Sequence, residues 1–93
     1  MSYIFDWDLK KAESNARKHG VSFEEATTVF ADPLALLMPD PDHSEMEERY
    51  LVLGASSDRK LLVVAFAERP PRTRLISARK ATRAERRMYE EEN

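Results

Sequence analysis

Apolar positions change their period several times along the 93-residue chain, and each change marks an element. Tyr3–Asp6 reads as a short strand, with aromatic and branched side chains followed by a turn former. Asp8 then opens a helix that runs to about His19. Arg17, Lys18 and His19 suit the negative end of its dipole, and Gly20 is a left-handed stop. The stripe of that helix is thin, with Leu9, Ala12 and Ala16 at helical spacing. Ser22 and Glu25 have the spacing of a capping box that starts a second helix, with Val21 and Ala26 as a hydrophobic staple. Phe23, Ala26, Thr27 and Phe30 share one face, and Asp32-Pro33 ends the element because proline disfavours helical geometry in the residue before it.

The second half of the chain turns to strand patterning. Leu34–Met38 is a strand stopped by Pro39-Asp40-Pro41, and Arg49–Ala55, Leu61–Glu68 and Thr73–Arg79 follow. Ser56-Ser57-Asp58 and Pro70-Pro71 supply turns short enough to make these last three antiparallel neighbours. Leu61–Glu68 is apolar on both faces, which predicts a mid-sheet position with helices on one side. Thr82 and Glu85 form another capping-box pattern at the start of a last helix. Ala81, Ala84 and Met88 are expected toward the sheet, and Arg83, Arg86 and Arg87 outward. The order β-α-α-β-β-β-β-α predicts a single α+β domain over residues 1–93, a curled antiparallel sheet packed against helices.

Composition narrows the setting. With 42% hydrophobic and 34% charged residues, the chain is a folded, strongly charged domain, and without cysteine neither disulfides nor thiolate metal sites are available. The N-terminus lacks the basic-then-apolar pattern of a secretion signal, and the longest apolar run, Leu61–Ala67, is too short to span a membrane. A cytoplasmic protein with no membrane partner is expected. The net charge of −2 conceals a separation. Asp40, Asp42, Glu45, Glu47 and Glu48 cluster without a lysine or arginine between Pro39 and Glu48, whereas Arg69–Arg87 holds eight lysines and arginines and one acid, Glu85. Separation of this kind can build one basic face on a chain of near-neutral total charge.

Several chemistries drop out. The two glycines, Gly20 and Gly54, cannot make a phosphate-binding loop, and His19 and His43 lack metal-ligand spacing. Asp40, Asp42, His43 and Glu45 offer at most a loose cation site without the spacing of a calcium loop. The basic strand remains. Arg72 and Arg74 share a face by strand alternation, while Arg79 points to the other face unless a bulge intervenes; Arg69 on the preceding arm can join the first two. Guanidinium groups suit phosphate because they are planar, bidentate and always charged, although each also has salt-bridge partners within reach in Glu47, Glu48, Glu68 and Glu85. Tyr3, Tyr50 and Tyr89 are either base-stacking platforms or packing residues. His19 either caps the last turn of its helix or serves as a group that titrates near neutrality. Trp7 reads as a core anchor.

These residues fall into an ordered pattern. Phe5-Asp6-Trp7-Asp8, Lys11, Asn15, Lys18 through Ala26, Val29-Phe30 and Asp32-Pro33 resemble the N-terminal signature of BrnT toxins. Glu48-Arg49-Tyr50, Gly54, Leu62-Val63-Val64, Ile76 through Thr82, Glu85-Arg86 and Tyr89 extend the resemblance over nearly the whole chain. The resemblance implies a RelE-like fold and the toxin of a type II toxin–antitoxin system, an endoribonuclease that cuts RNA and inhibits translation. It also implies a BrnA-like ribbon-helix-helix antitoxin, a heterotetramer with it, and operator DNA bound through the antitoxin. Neither metal nor cofactor is expected, because RNA supplies its own nucleophile, the 2′-hydroxyl. On this reading Arg49, Arg74 and Arg79 stabilise phosphate charge, His19 or Glu48 transfers the proton, and Arg69, Arg72, Lys80 and Tyr89 position RNA. The competing reading is an inactive homologue that assembles an autorepressor with its antitoxin.

Overall fold

The computed structural model describes residues 3–40 and 48–93. Strand β1 (Phe5–Asp6) leads into helix α1 (Leu9–His19), helix α2 (Phe23–Thr27) and a 3-10 turn (Thr28–Ala31). Strands β2 (Leu36–Pro39), β3 (Arg49–Ala55), β4 (Leu61–Arg69) and β5 (Arg72–Lys80) follow, and helix α3 (Arg83–Glu92) comes last. The sheet order is β1-β5-β4-β3-β2, so β4 lies in the middle as its two-sided apolar sequence requires. β2 to β5 pair antiparallel; β1 alone is parallel, adding Phe5 opposite Thr73 and Asp6 opposite Arg74.

Local chemistry accounts for most boundaries. The Asp8 carboxylate accepts the Lys10 and Lys11 amide hydrogens at 2.8 and 3.1 Å, and α1 ends on Gly20 at φ 70°. At α2 only half of the expected capping box forms. Ser22 Oγ accepts the Glu25 amide at 3.0 Å, but the Glu25 carboxylate turns away to accept the Ser56 hydroxyl at 2.8 Å. The apolar stripe of the second helical segment continues past Thr27 in 3-10 geometry rather than as one α-helix. Asp32 then delays β2 to Leu36: its carboxylate accepts the Leu34 amide at 2.9 Å and its carbonyl accepts that of Ala35 at 3.1 Å, a local turn where a strand was expected.

The helices lie on both faces of the sheet rather than on one. On the first face, Val52, Leu62, Val64, Phe66, Leu75 and Ala78 pack with Val21, Phe23, Ala26 and Val29, and with Trp7 and Ala12 at the margin. On the second, Leu53, Leu61 and Val63 pack under α3 through Ala81, Met88 and Tyr89. Ala84 is exposed instead of inward; its place is taken by Glu85, which caps the helix and reaches Arg79. Beyond Arg74 the outer edge of β5 has no strand neighbour among the described residues, and Asn15 of α1 stands in for one. Its side-chain amide donates to the Ala78 carbonyl at 2.8 Å and accepts the Ala78 amide hydrogen at 3.0 Å, while also donating to the Val21 carbonyl at 3.0 Å. Among the described residues, no helix is long and apolar enough to cross a membrane.

Candidate functional site

Strand alternation sorts the charges at one end of the sheet. Antiparallel partners face the same way, so Arg49 opposite Ala67, Ala67 opposite Arg74, and Arg69 opposite Arg72 all share the α3 face. Arg79 belongs to the same face for a reason the sequence pattern only allowed. Ala65 pairs with Ser77 but the next residue, Phe66, pairs with Leu75, so Ile76 is an extra residue in β5. This bulge shifts the alternation by one and puts Arg79, opposite Val63, on the side of Arg72 and Arg74. Arg49 and Arg74 flank Ala67 from adjacent strands, which sets their backbones about 10 Å apart, two strand spacings. The row is therefore five guanidinium groups on one surface, with the small side chains of Ala65 and Ala67 beneath.

Carboxylates of described residues hold Arg72, Arg74 and Arg79. Asp6 lies 3.4 Å from Arg74 and 3.9 Å from Arg72. The Asp6 Oδ1 atom is buried and accepts no hydrogen bond from a described residue, so its attraction to Arg74 is a close charge contact without hydrogen-bond geometry. Arg79 makes a bidentate pair with Glu85, at 2.7 and 2.9 Å. That pair, offset in part by burial, holds the Glu85 carboxyl down at about 2, with help from the Thr82 amide it also caps. Arg79 is correspondingly shifted upward by the same hydrogen bonds.

The other expected site residues are elsewhere. Lys80 pairs with Leu62 and so faces the α1/α2 side, opposite to Arg79. His19 is half-buried at the end of α1, one turn past Asn15, and its side chain makes no hydrogen bond to another described residue. Glu48 precedes Arg49 and lies on the opposite face from it, where it accepts the Tyr50 hydroxyl at 2.8 Å. Tyr89 sits at the sheet side of α3 and donates to Asp32 Oδ2 at 2.6 Å, which with burial pushes its hydroxyl up to about 12. The same Asp32 oxygen accepts the Ala55 amide at 2.8 Å, and these hydrogen bonds outweigh burial and lower the Asp32 carboxyl. Asp6 and Asp32 are the residues that sequence reasoning missed as partners within the site, whereas Glu85 was expected as a salt-bridge partner of the arginines. Glu85 alone carried a signal, as the single acid in the basic segment.

Among the described residues, no group of three or more His, Asp or Glu side chains is arranged to hold a metal ion. The expected cluster around Asp42, His43 and Glu45 lies outside the described residues. The arrangement can bind a polyanion on the arginine row and stabilise charge on a phosphate lodged between guanidinium groups.

An arginine row on the sheet of a small α+β domain is chemically suited to anions, and comparison with known proteins narrows the class. The sequence profile of the family described as "Ribonuclease toxin, BrnT, of type II toxin-antitoxin system" matches residues 7–85. The chain belongs to this family. Its fold is similar to that of the Brucella abortus ribonuclease toxin BrnT, solved at 1.1 Å, with a TM-score of 0.68 and 21% identity over 88% of this chain and 100% of that one. Curated protein sequences give no match.

Proposed function

We propose that the chain cleaves RNA without a metal: the 2′-oxygen bonds to the adjacent phosphorus as its proton passes to water, the bond to the 5′-oxygen breaks, and that oxygen takes a proton from water, leaving a 2′,3′-cyclic phosphate and a 5′-hydroxyl. The single observation behind this reading is the bulged register that collects Arg49, Arg69, Arg72, Arg74 and Arg79 on one face. Arg49, Arg74 and Arg79 stabilise the extra charge that builds on the phosphate oxygens, and Arg69 and Arg72 hold the flanking backbone. RNA phosphates then compete with Asp6 and Glu85 for their guanidinium partners. Preorganised donors aimed at developing charge usually contribute more to catalysis than any other single device. That contribution carries this reading because His19 and Glu48 lie away from the row. Family membership supports neutralisation by a cognate antitoxin, and the sequence resemblance supports a BrnA-like one, a heterotetramer, and operator binding through that partner.

The test is cleavage of single-stranded RNA by the purified chain in EDTA, scored for 2′,3′-cyclic phosphate ends. Arg74→Ala should lower the rate about 10²–10³-fold, the cost of removing one preorganised donor to a developing oxyanion. Because Arg79 also anchors α3, Arg79→Ala is read beside Glu85→Gln, which breaks the ion pair but keeps the guanidinium. Full cleavage by both arginine variants would remove the row from catalysis. One observation favours the second reading, assembly without catalysis: Arg72, Arg74 and Arg79 are already paired within the chain. Tight antitoxin binding by a wild-type chain that cuts no RNA is the outcome that selects it.

A further inference from the structure

The alternation that gathers arginines on the α3 face leaves acids and rings on the opposite face at the same end of the sheet. There, a groove of about 540 Å³ opens beside the 3-10 turn, over strands β2, β3 and β4. Its floor is a cluster of rings: Phe30 meets Phe66 and Tyr3 edge-to-face at 5.0 and 5.3 Å, and Tyr50 lies tilted against Phe66 at 5.7 Å. Its walls leave apolar surface in water, Tyr3 at 44% and Leu37 at 64% exposure. A ring floor with exposed aliphatic walls is an unfinished core, since such surface is stabilised by burial.

The rim is acidic. Glu68 lines the groove, and its amide donates to the carbonyl of Glu48 directly across the strand pair at 3.2 Å. Both side chains share the face of Tyr50 and Phe66. Like charges opposite each other on antiparallel strands are destabilising, and neither glutamate forms an ion pair with a described residue. The side chains that donate to them are hydroxyls, Tyr50 at 2.8 Å for Glu48 and Thr73 at 3.3 Å for Glu68. The Tyr50 hydroxyl is shifted upward by Glu48 and, more weakly, by Glu68, as expected in a negative field. A nucleic acid would meet repulsion here, whereas a cation would relieve it.

We propose that this groove is a docking site for a protein segment that places an apolar side chain beside an arginine or lysine. The apolar group covers Phe30 and Phe66, and the cation settles between Glu48 and Glu68. A partner seated here leaves the arginine row on the other face uncovered. The proposal is independent of RNA cleavage, since a chain that cuts no RNA can still bind the peptide.

The test is an NMR titration of the full chain with acetyl-Leu-Arg-Arg-Leu-amide, with acetyl-Leu-Glu-Glu-Leu-amide and octauridylate as parallel arms. The basic peptide should shift the resonances of Leu37, Tyr50 and Phe66 saturably, and the acidic peptide should leave them in place. Leu37→Ser, at an exposed position, and Glu68→Gln should each weaken binding, and together about tenfold or more. Equal response to both peptides, unchanged affinity in the double variant, or groove shifts produced by octauridylate would each overturn the assignment.

Discussion

The two faces of the five-stranded sheet are built from the same strands and do different work. The α1/α2 face buries a contiguous cluster of ten residues from β3, β4, β5, α2 and their flanks. Among the described residues the α3 face buries a cluster of three, with only the small side chains of Ala65 and Ala67 beside it, and α3 itself contains no buried residue. Burial of hydrophobic area, the dominant driving force in folding, is thus concentrated on one side. The other side is left to polar contacts at the two ends of α3, Arg79 with Glu85 and Tyr89 with Asp32. A face that contributes little to the core can carry a crowd of like charges, and the arginine row is where that freedom is used. The acidic groove on the back of the same strand ends shows that the period of two, not any separation along the chain, keeps the two charge classes apart.

The contrast between the faces can be broken most directly in the core. Phe23 is fully buried on the α1/α2 face, edge-on to Trp7 at 5.8 Å. Phe23→Ala should cost about 3–5 kcal/mol, a large share of the roughly 5–15 kcal/mol that holds a typical domain together. Met88→Ala, on the half-buried side of α3, should cost less than half of that. Urea denaturation of both variants reads the difference. Equal losses would mean that the α3 face is as much a part of the core as the other.

Asn15 sharpens the same contrast at the sheet edge. It is 7% exposed and satisfies both backbone groups of Ala78, two residues past the bulge. Asn15→Leu keeps the size but strands those groups and the Val21 carbonyl, a loss of about 1–3 kcal/mol for each group that water does not reach. It should also loosen the stretch of β5 that fixes the direction of Arg79. Amide exchange at Ala78 should accelerate while exchange in β3 stays slow at matched global stability. Uniform acceleration would show that Asn15 acts on the whole fold rather than on the bulged edge.

Much of this architecture was legible in sequence because it is local. The Asp8 cap, the Gly20 stop, the Thr82–Glu85 capping box and the doubly apolar β4 each state their geometry within a few residues. What was not legible depends on contacts remote in sequence. Nothing near Ile76 announces a bulge; it is defined by the partner strand and by an asparagine 63 residues from Ala78. A contact that holds α3 on its side of the sheet is likewise remote: Tyr89 donates to Asp32, 57 residues away. Gly54 gave no hint of its role either. A Cβ there would stand 3.0 Å from both Ala35 Cβ and Val29 Cγ1, so glycine is what lets the 3-10 turn close on β3. The arginines were legible as a set suited to phosphate, with Arg72 and Arg74 on one face and Arg69 within reach of them, but the side taken by Arg79 was not.

The smallest expected effect concerns how α3 is held over its face, and it has a definite sign in pH. The folded-state Glu85 carboxyl lies at about 2, below its ordinary value of 4.5. A group depressed in this way stabilises the fold fully above its unfolded value, and that stabilisation fades as pH falls from about 4.5 toward 2. At pH 7, Glu85→Gln should therefore weaken α3 by about 1 kcal/mol, a partly exposed pair being screened by solvent. Near pH 2 it should change little, because most of that stabilisation has faded there, although about half of the folded-state carboxyl is still ionised. The Met88 methyl resonance, under α3, reports docking directly: its shift should move toward the Glu85→Gln position as wild type is acidified. If the methyl in wild type and in Glu85→Gln follows the same course from pH 7 to pH 2, the ion pair does not hold the helix. The Tyr89–Asp32 hydrogen bond and the apolar contacts would then suffice, and Arg79 would be free for phosphate without any cost to the fold.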